Sequence, residues 1–279
     1  MPRQGIGPAV LHVFREHPMR IAFDSQVVLV TGASKGIGLA CARAFAQAGA
    51  RVVGVSRSRD NLREATRVLA DEGLALSTYA ADLSDGDAAR LVVERIEEEV
   101  GPISVLVNSA GAAKRYSVDE LSPEAFHQAM NAKYFTYMNT VEPVARRMAE
   151  RGAGSIVNVV GQGGKQAGVM HIAGGSANAG LMLASVGYAR ALAAKGVRVN
   201  VINPGLTQTS RVEEGLEAAV RATGRKREEL LAEQLAGIPM GRAGQPEEVA
   251  NVALFLASPF ASYVSGAVIP MDGCSTSVI

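Results

Sequence analysis

The apolar positions near the start of the chain follow two successive rhythms. Val27 to Val30 is an unbroken apolar run that stops at Thr31-Gly32. Ile37, Cys41, Ala44, Phe45 and Ala48 then recur at helical spacing. An unbroken run reads as a strand covered on both faces, and the 3.6-residue period reads as a helix laid against it. Between them stand Gly32, Gly36 and Gly38, in the order T-G-x-x-x-G-x-G. Glycine suits such a turn because it accepts positive φ and lets another group approach the backbone. The free N–H groups of the next helix, with the positive end of its dipole, favour an anion, most often a pyrophosphate.

The alternation continues downstream. Strands are predicted over 51–55, 76–80, 103–107, 155–160 and 197–202, and helices over 61–71, 88–100, 123–151 and 173–195. Such a series gives an α/β fold, a parallel sheet with helices on both faces and right-handed crossovers. Ligand then belongs at the carboxyl ends of the strands, where strand order reverses. Residues 206–245 break the rhythm with two short amphipathic stretches, 214–222 and 228–236, placed where a substrate lid would sit. No linker of domain-boundary character appears, so the expectation is one domain over 24–279 after an extension, 1–23.

Composition narrows the class. The chain has 279 residues, 48% of them hydrophobic, which is enough for a large core. A net charge of +1 gives no electrostatic footprint for nucleic acid. No apolar run approaches the ~18 residues that signal a membrane span. Cys41 and Cys274 form no disulfide framework and suit a reducing compartment, so a cytoplasmic location is expected. Arg15, Glu16 and His17 interrupt the apolar residues before them, which argues against a secretory signal. Residues 1–23 read equally as an arm on a partner subunit, a disordered lead, or an upstream start with Met19 the true one. No metal site is expected.

The glycine turn, the Asn108-Ser109-Ala110-Gly111 turn after the fourth strand, Asn203-Pro204-Gly205 after the sixth, and the closing PMGRAGQPEEVA and GAVIPMDG segments together resemble the short-chain dehydrogenase/reductase family over about residues 24–273. The resemblance implies a single Rossmann-type domain with seven parallel strands in the order 3-2-1-4-5-6-7. It also implies a dinucleotide held by Gly32, Ser34, Lys35, Gly36, Ile37 and Gly38 at the phosphates. Asp82, Leu83, Asn108, Ala110 and Gly111 would lie around the adenine, with Asn178, Pro204, Gly205 and Thr207 further along. At the end of strand two, a carboxylate would favour NAD by accepting from the ribose 2′-hydroxyl. Ser56 stands there instead, followed by Arg57, and Lys35 adds a second cation. Both cations can pair with a 2′-phosphate, so NADP is the expected cofactor.

The family's reductases use an Asn, a Ser, a Tyr and a Lys. Only the Asn has a counterpart, Asn131 in MNAKY; Gly161, Gly174 and Asn178 stand at the Ser, Tyr and Lys positions. A positioned general acid contributes typically ~10²–10⁴ in rate, so ordinary ketone reduction should suffer. Hydride transfer still benefits from orientation, a separate term. His171, three residues before Gly174, is the leading replacement, as a protonated imidazole donor. Ser176 and Lys165 are weaker candidates, Asn178 could bond the ribose, and Arg225-Lys226-Arg227 could meet an anionic tail. Three readings stay open: an NADP-dependent oxidoreductase of a small carbonyl or alcohol, a catalytically inactive NADP-binding sensor or partner subunit, and non-redox chemistry on the same fold. The small-residue face of Gly174, Ala177, Gly180 and Ala184 predicts helix pairing across two-fold axes, giving a dimer or tetramer.

Overall fold

The computed structural model describes residues 20–111 and 114–277. Seven strands, β1 (Val27–Thr31), β2 (Arg51–Ser56), β3 (Ser77–Ala80), β4 (Ile103–Asn108), β5 (Gly154–Val159), β6 (Val197–Pro204) and β7 (Val268–Met271), form one sheet. Their order is β3-β2-β1-β4-β5-β6-β7, and all six pairings are parallel. This is the Rossmann order expected from the sequence. Strand order reverses between β1 and β4, where Thr31 pairs with Asn108 and opens the crevice at the strands' carboxyl ends.

The apolar runs are continuous because both sheet faces are covered. Val28 and Val30 face a core shared with α1 (Gly36–Gln47), α2 (Arg59–Asp71) and α9 (Pro246–Ala257). Val27 and Leu29 face the opposite core, built with α3 (Gly86–Glu99), α5 (Thr136–Arg151) and α6 (Ile172–Leu192). Residues 1–19, most of the predicted extension, lie outside the described residues. Packing starts before residue 24, because Phe23 is 1% exposed and stacks edge-on against Phe45. Burial pushes the Cys41 thiol up to about 12, so it is a core residue and not a nucleophile. Among the described residues no helix is long and apolar enough to cross a membrane.

Two predicted elements differ from expectation. The helix predicted over 123–151 is interrupted: α4 (Pro123–Ala129) passes through a π-turn, Met130–Phe135, before α5. The Thr136 hydroxyl donates to the Asn131 carbonyl at 2.9 Å within that turn. A π-turn carries one extra residue, which shifts helical phase by about 100°. Residues 206–245 contain longer helices than predicted, α7 (Ser210–Thr223) and α8 (Arg227–Ala236).

Candidate active site

The glycine turn is held by its neighbours. Gly32 and Gly36 have positive φ, +68° and +53°. A Cβ on Gly32 would lie 2.9 Å from the Ala110 backbone, so the first turn packs directly on the turn after β4. A Cβ on Gly38 would strike the Gly32 carbonyl. These contacts require glycine for close approach, not merely for flexibility. α1 begins with Lys35 at its N-cap, without a side-chain cap and without acidic residues in its first turn. By contrast, Ser58 and Asp85 cap α2 and α3. The first N–H groups of α1 therefore lack an internal side-chain acceptor, as an anion site requires.

Beside this turn, the Ser34 and Ser56 hydroxyls lie 3.1 Å apart, joining it to the end of β2. Lys35 and Arg57 are exposed, and no ion pair engages either among the described residues. Asp82 is held below its ordinary pKa first by the Ser84 hydroxyl and then by the Ser84 N–H; burial opposes this, and the positive charge of Arg57 adds to it. Leu83 is buried, and Gly111 has φ +87° against the Ala132 carbonyl. At the other end of the crevice, Pro204 closes β6 and the Thr207 hydroxyl donates to the Gly205 carbonyl at 3.3 Å. A Cβ on Gly205 would sit 2.5 Å from Gln162 Oε1, and the Gly36 turn lies against Thr209.

A buried polar ladder crosses the sheet just below. Thr31 donates to Asn108 at 3.1 Å, Asn108 to Asn158 at 2.9 Å, Asn158 to Ser185 at 2.9 Å, and Ser185 to the Leu181 carbonyl at 2.6 Å. All four side chains are at most 1% exposed. Ser109 and Ala110 N–H groups donate back to Thr31, so the ladder fixes the turn that receives Gly32. Asn158 and Ser185 gave no signal in the sequence beyond being polar residues inside predicted core elements.

His171 stands at the start of α6, beside the Gly161–Gly164 stretch. Its imidazole lies against Gly174: a Cβ there would fall inside the ring, 2.7 Å from both nitrogens. A Cβ on Gly163 would meet the same ring at 2.8 Å. Two glycines thus make room for one imidazole, in the space where a side chain at 174 would begin. Nδ1 is buried and has no hydrogen-bond partner. Burial, then Arg115, then Lys133 push the His171 pKa below its ordinary value of 6.5. The ring is therefore neutral at pH 7, a proton acceptor before it is a donor. The sequence expectation was a protonated donor; the lowered pKa favours the neutral form.

Other candidates separate. Asn178 is 4% exposed with Oδ1 buried and unpartnered, and a Cβ on Gly161 would lie 3.5 Å from its Nδ2. Asn131 is exposed. Lys133 instead extends its ammonium to the Tyr137 hydroxyl at 3.2 Å, and that hydroxyl donates to the Val159 carbonyl at 2.5 Å. The Ser176 hydroxyl is turned back onto the Ile172 carbonyl at 2.9 Å, and Lys165 reaches the Val268 carbonyl at 3.5 Å. Arg225 pairs with Glu233 at 2.8 Å and Arg227 with Glu213 at 2.5 Å, so these two cations are engaged by carboxylates of α7 and α8.

Residues 32–276 match the family described as enoyl-(acyl carrier protein) reductase. The chain is 35% identical to 3-oxoacyl-[acyl-carrier-protein] reductase FabG of Thermotoga maritima, over 90% of this chain and 97% of that protein. It is 38% identical to galactitol 2-dehydrogenase (L-tagatose-forming) of Cereibacter sphaeroides, over 90% and 94%. The solved L-sorbose reductase of Gluconobacter frateurii, complexed with NADPH and L-sorbose, superposes with a TM-score of 0.88 at 28% identity, covering 94% of this chain and all of that one, 100%.

Proposed function

The chain belongs to the short-chain dehydrogenase/reductase family, and from that premise we propose that it is an NADP(H)-dependent oxidoreductase of a small alcohol or ketone in which His171 acts where the family's Tyr is missing. The observation that carries this reading is the His171 imidazole, seated on Gly174 beside an intact nucleotide turn. The residues present fit the nucleotide. The uncapped start of α1 offers N–H groups to a pyrophosphate. Lys35 and Arg57 offer charge to a 2′-phosphate that no carboxylate at Ser56 would repel. Asn178 Oδ1, buried without a donor, would accept from a ribose hydroxyl. The NADPH held by the similarly folded L-sorbose reductase supports the same choice.

When bound, NADP(H) supplies or accepts the hydride. The chain's own part is to orient and to move a proton. A neutral imidazole takes the hydroxyl proton of an alcohol as the carbonyl forms, so the site is set for oxidation near neutrality. Donation to a carbonyl by the imidazolium is confined to pH below the depressed pKa. The proposal extends to a cytoplasmic dimer or tetramer, supported by Leu183, 76% exposed on α6.

Fluorescence titration with NADPH, followed by an alcohol and ketone panel in both directions across pH, tests this. We expect tight NADPH binding and His171-dependent oxidation that rises with pH. No NADPH binding refutes the nucleotide reading. Tight binding with a silent panel favours a sensor, a partner subunit or non-redox chemistry.

A further inference from the structure

Resting on the NADP(H) reading above, we propose that the substrate is a hydroxy acid, or the keto acid it becomes, whose carboxylate is held by Arg115 while its hydroxyl lies at His171. Arg115 is thereby the residue that decides which alcohols the crevice accepts.

Backbone geometry brings these two residues to one place. The Tyr116 N–H donates to the Met170 carbonyl at 3.1 Å. Arg115 immediately precedes the donor and His171 immediately follows the acceptor, so the loop after β4 meets the start of α6 at this bond. The loop is tied down on its other side as well. The Tyr116 hydroxyl donates to Gln128 Oε1 of α4 at 2.9 Å. The Ser117 N–H and hydroxyl donate to Glu120 at 2.9 Å and 3.0 Å.

The neighbours of Arg115 are thus already engaged. Lys114 adds a cation–π contact, its ammonium 5.0 Å from the Tyr116 ring centre. Arg115 itself is exposed, and among the described residues no carboxylate pairs with it. Its charge still reaches the crevice. The charged groups acting on His171 are Arg115 and Lys133, both positive, and Lys133 is engaged by Tyr137. No acidic side chain of the described residues is among them. The imidazole therefore sits in a positive potential that the chain does not balance, and a substrate carrying a negative charge balances it. A guanidinium takes a carboxylate through two parallel hydrogen bonds, which fixes orientation as well as charge.

A hydroxy acid meets both groups at once. Its oxidation breaks the carbinol C–H, whose hydride passes to NADP⁺, and the O–H, whose proton passes to the imidazole; the carboxylate changes no bond. Once seated, that carboxylate offsets the Arg115 charge, which otherwise disfavours an imidazolium, so the substrate strengthens its own base.

The test pairs 2-, 3- and 4-hydroxybutyrate each with its own primary amide, as substrates with NADP⁺ and by calorimetric titration into the NADP⁺-loaded protein. At least one acid should exceed its amide about tenfold or more in kcat/KM, the scale of one charged hydrogen bond. Arg115→Met should raise the KM of that acid about tenfold or more with little change in kcat, while the kcat of the amide rises as the opposing charge is removed. Arg115→Lys should keep part of the preference. Acids and amides handled alike by the parent overturn the inference and leave the NADP(H) reading standing. An Arg115→Met protein with parental NADPH affinity that keeps the acid preference also overturns it, as does an equal fall for acid and amide. If no probe turns over, calorimetry decides: acid binding that is lost in Arg115→Met sustains the carboxylate site, and acid binding that is absent or indifferent to Arg115 overturns it. A parent that binds no NADPH overturns the NADP(H) reading and the inference with it.

Discussion

Gly174→Ala should eject the His171 ring from the crevice while leaving the fold intact. The added Cβ would fall within 2.7 Å of both ring nitrogens, so the two groups cannot coexist. The yielding group is the end of a side chain, which can swing toward solvent. An off-rotamer or displaced ring costs about 0.5–1.5 kcal/mol. Replacing glycine by alanine within a helix returns up to about 1 kcal/mol. Gly174 is the third residue of α6, so the terms nearly cancel and net stability should move by less than about 1 kcal/mol. The titration should move far more, because burial is the largest cause of the lowered His171 pKa. Proton NMR of the imidazole, assigned with His171→Ala, should show the parent titrating below 6.5 and Gly174→Ala near that value. Urea unfolding supplies the stability. A Gly174→Ala protein that titrates like the parent, or loses more than about 3 kcal/mol, would refute this account of why residue 174 is glycine. The same clash bears on restoring the family pattern. Gly161→Ser is easily accommodated, meeting only Asn178 Nδ2 at 3.5 Å, but Gly174→Tyr needs His171→Ala beside it.

NADPH should bind at least about tenfold tighter than NADH, and Arg57→Asp should flatten or reverse that preference in a fluorescence titration; equal affinities in the parent defeat the assignment. Asn158→Leu leaves the Asn108 amide without its acceptor in a buried site, so urea unfolding should show a loss of about 1–3 kcal/mol, and an unchanged midpoint would mean the ladder is not structural. Because the folded-state pKa of His171 is lowered, the unfolded chain takes up a proton near 6.5 that the folded chain refuses. Stability is thus complete above that pH and falls as pH drops through the folded-state value. The parent should lose more stability than His171→Ala between about pH 7 and about pH 5, and parallel curves would contradict the sign. Light scattering at micromolar concentration should find a dimer or tetramer, with Leu183→Glu shifting it to smaller species; a monomeric parent rejects the α6 interface.

The strands were legible because each is a continuous apolar run buried on both faces, and Thr31-Gly32 and Asn108 mark where two of them end. Gly161 and Gly174 were also within reach, since the family's spacing located them, but only the structure seats the His171 ring against Gly174 and Gly163. The π-turn was not. One extra residue between Met130 and Phe135 has no compositional signature, yet it resets helical phase, and counting turns across it misassigns faces. Asn131, at the second position of that turn, is exposed in the structure. The charge state of His171 was equally hidden, because it depends on burial and on Arg115, distant in sequence.

The ladder from Thr31 to Ser185 ties together strands and a helix that are far apart along the chain. Its hydrogen bonds join residues 77, 50 and 27 positions apart. A nascent chain that has made β1 through β4 can dock those strands, but the Asn108 amide then lacks its acceptor until β5 arrives. Asn158 in turn waits for α6 to deliver Ser185. A fragment cut between α5 and β5 would carry that unmet amide at the most buried point of its sheet edge. The two halves of the domain therefore share one polar core: the Thr31–Asn108 pair beneath the turn that receives Gly32 is completed by Asn158 and Ser185 from the half bearing His171 and Asn178.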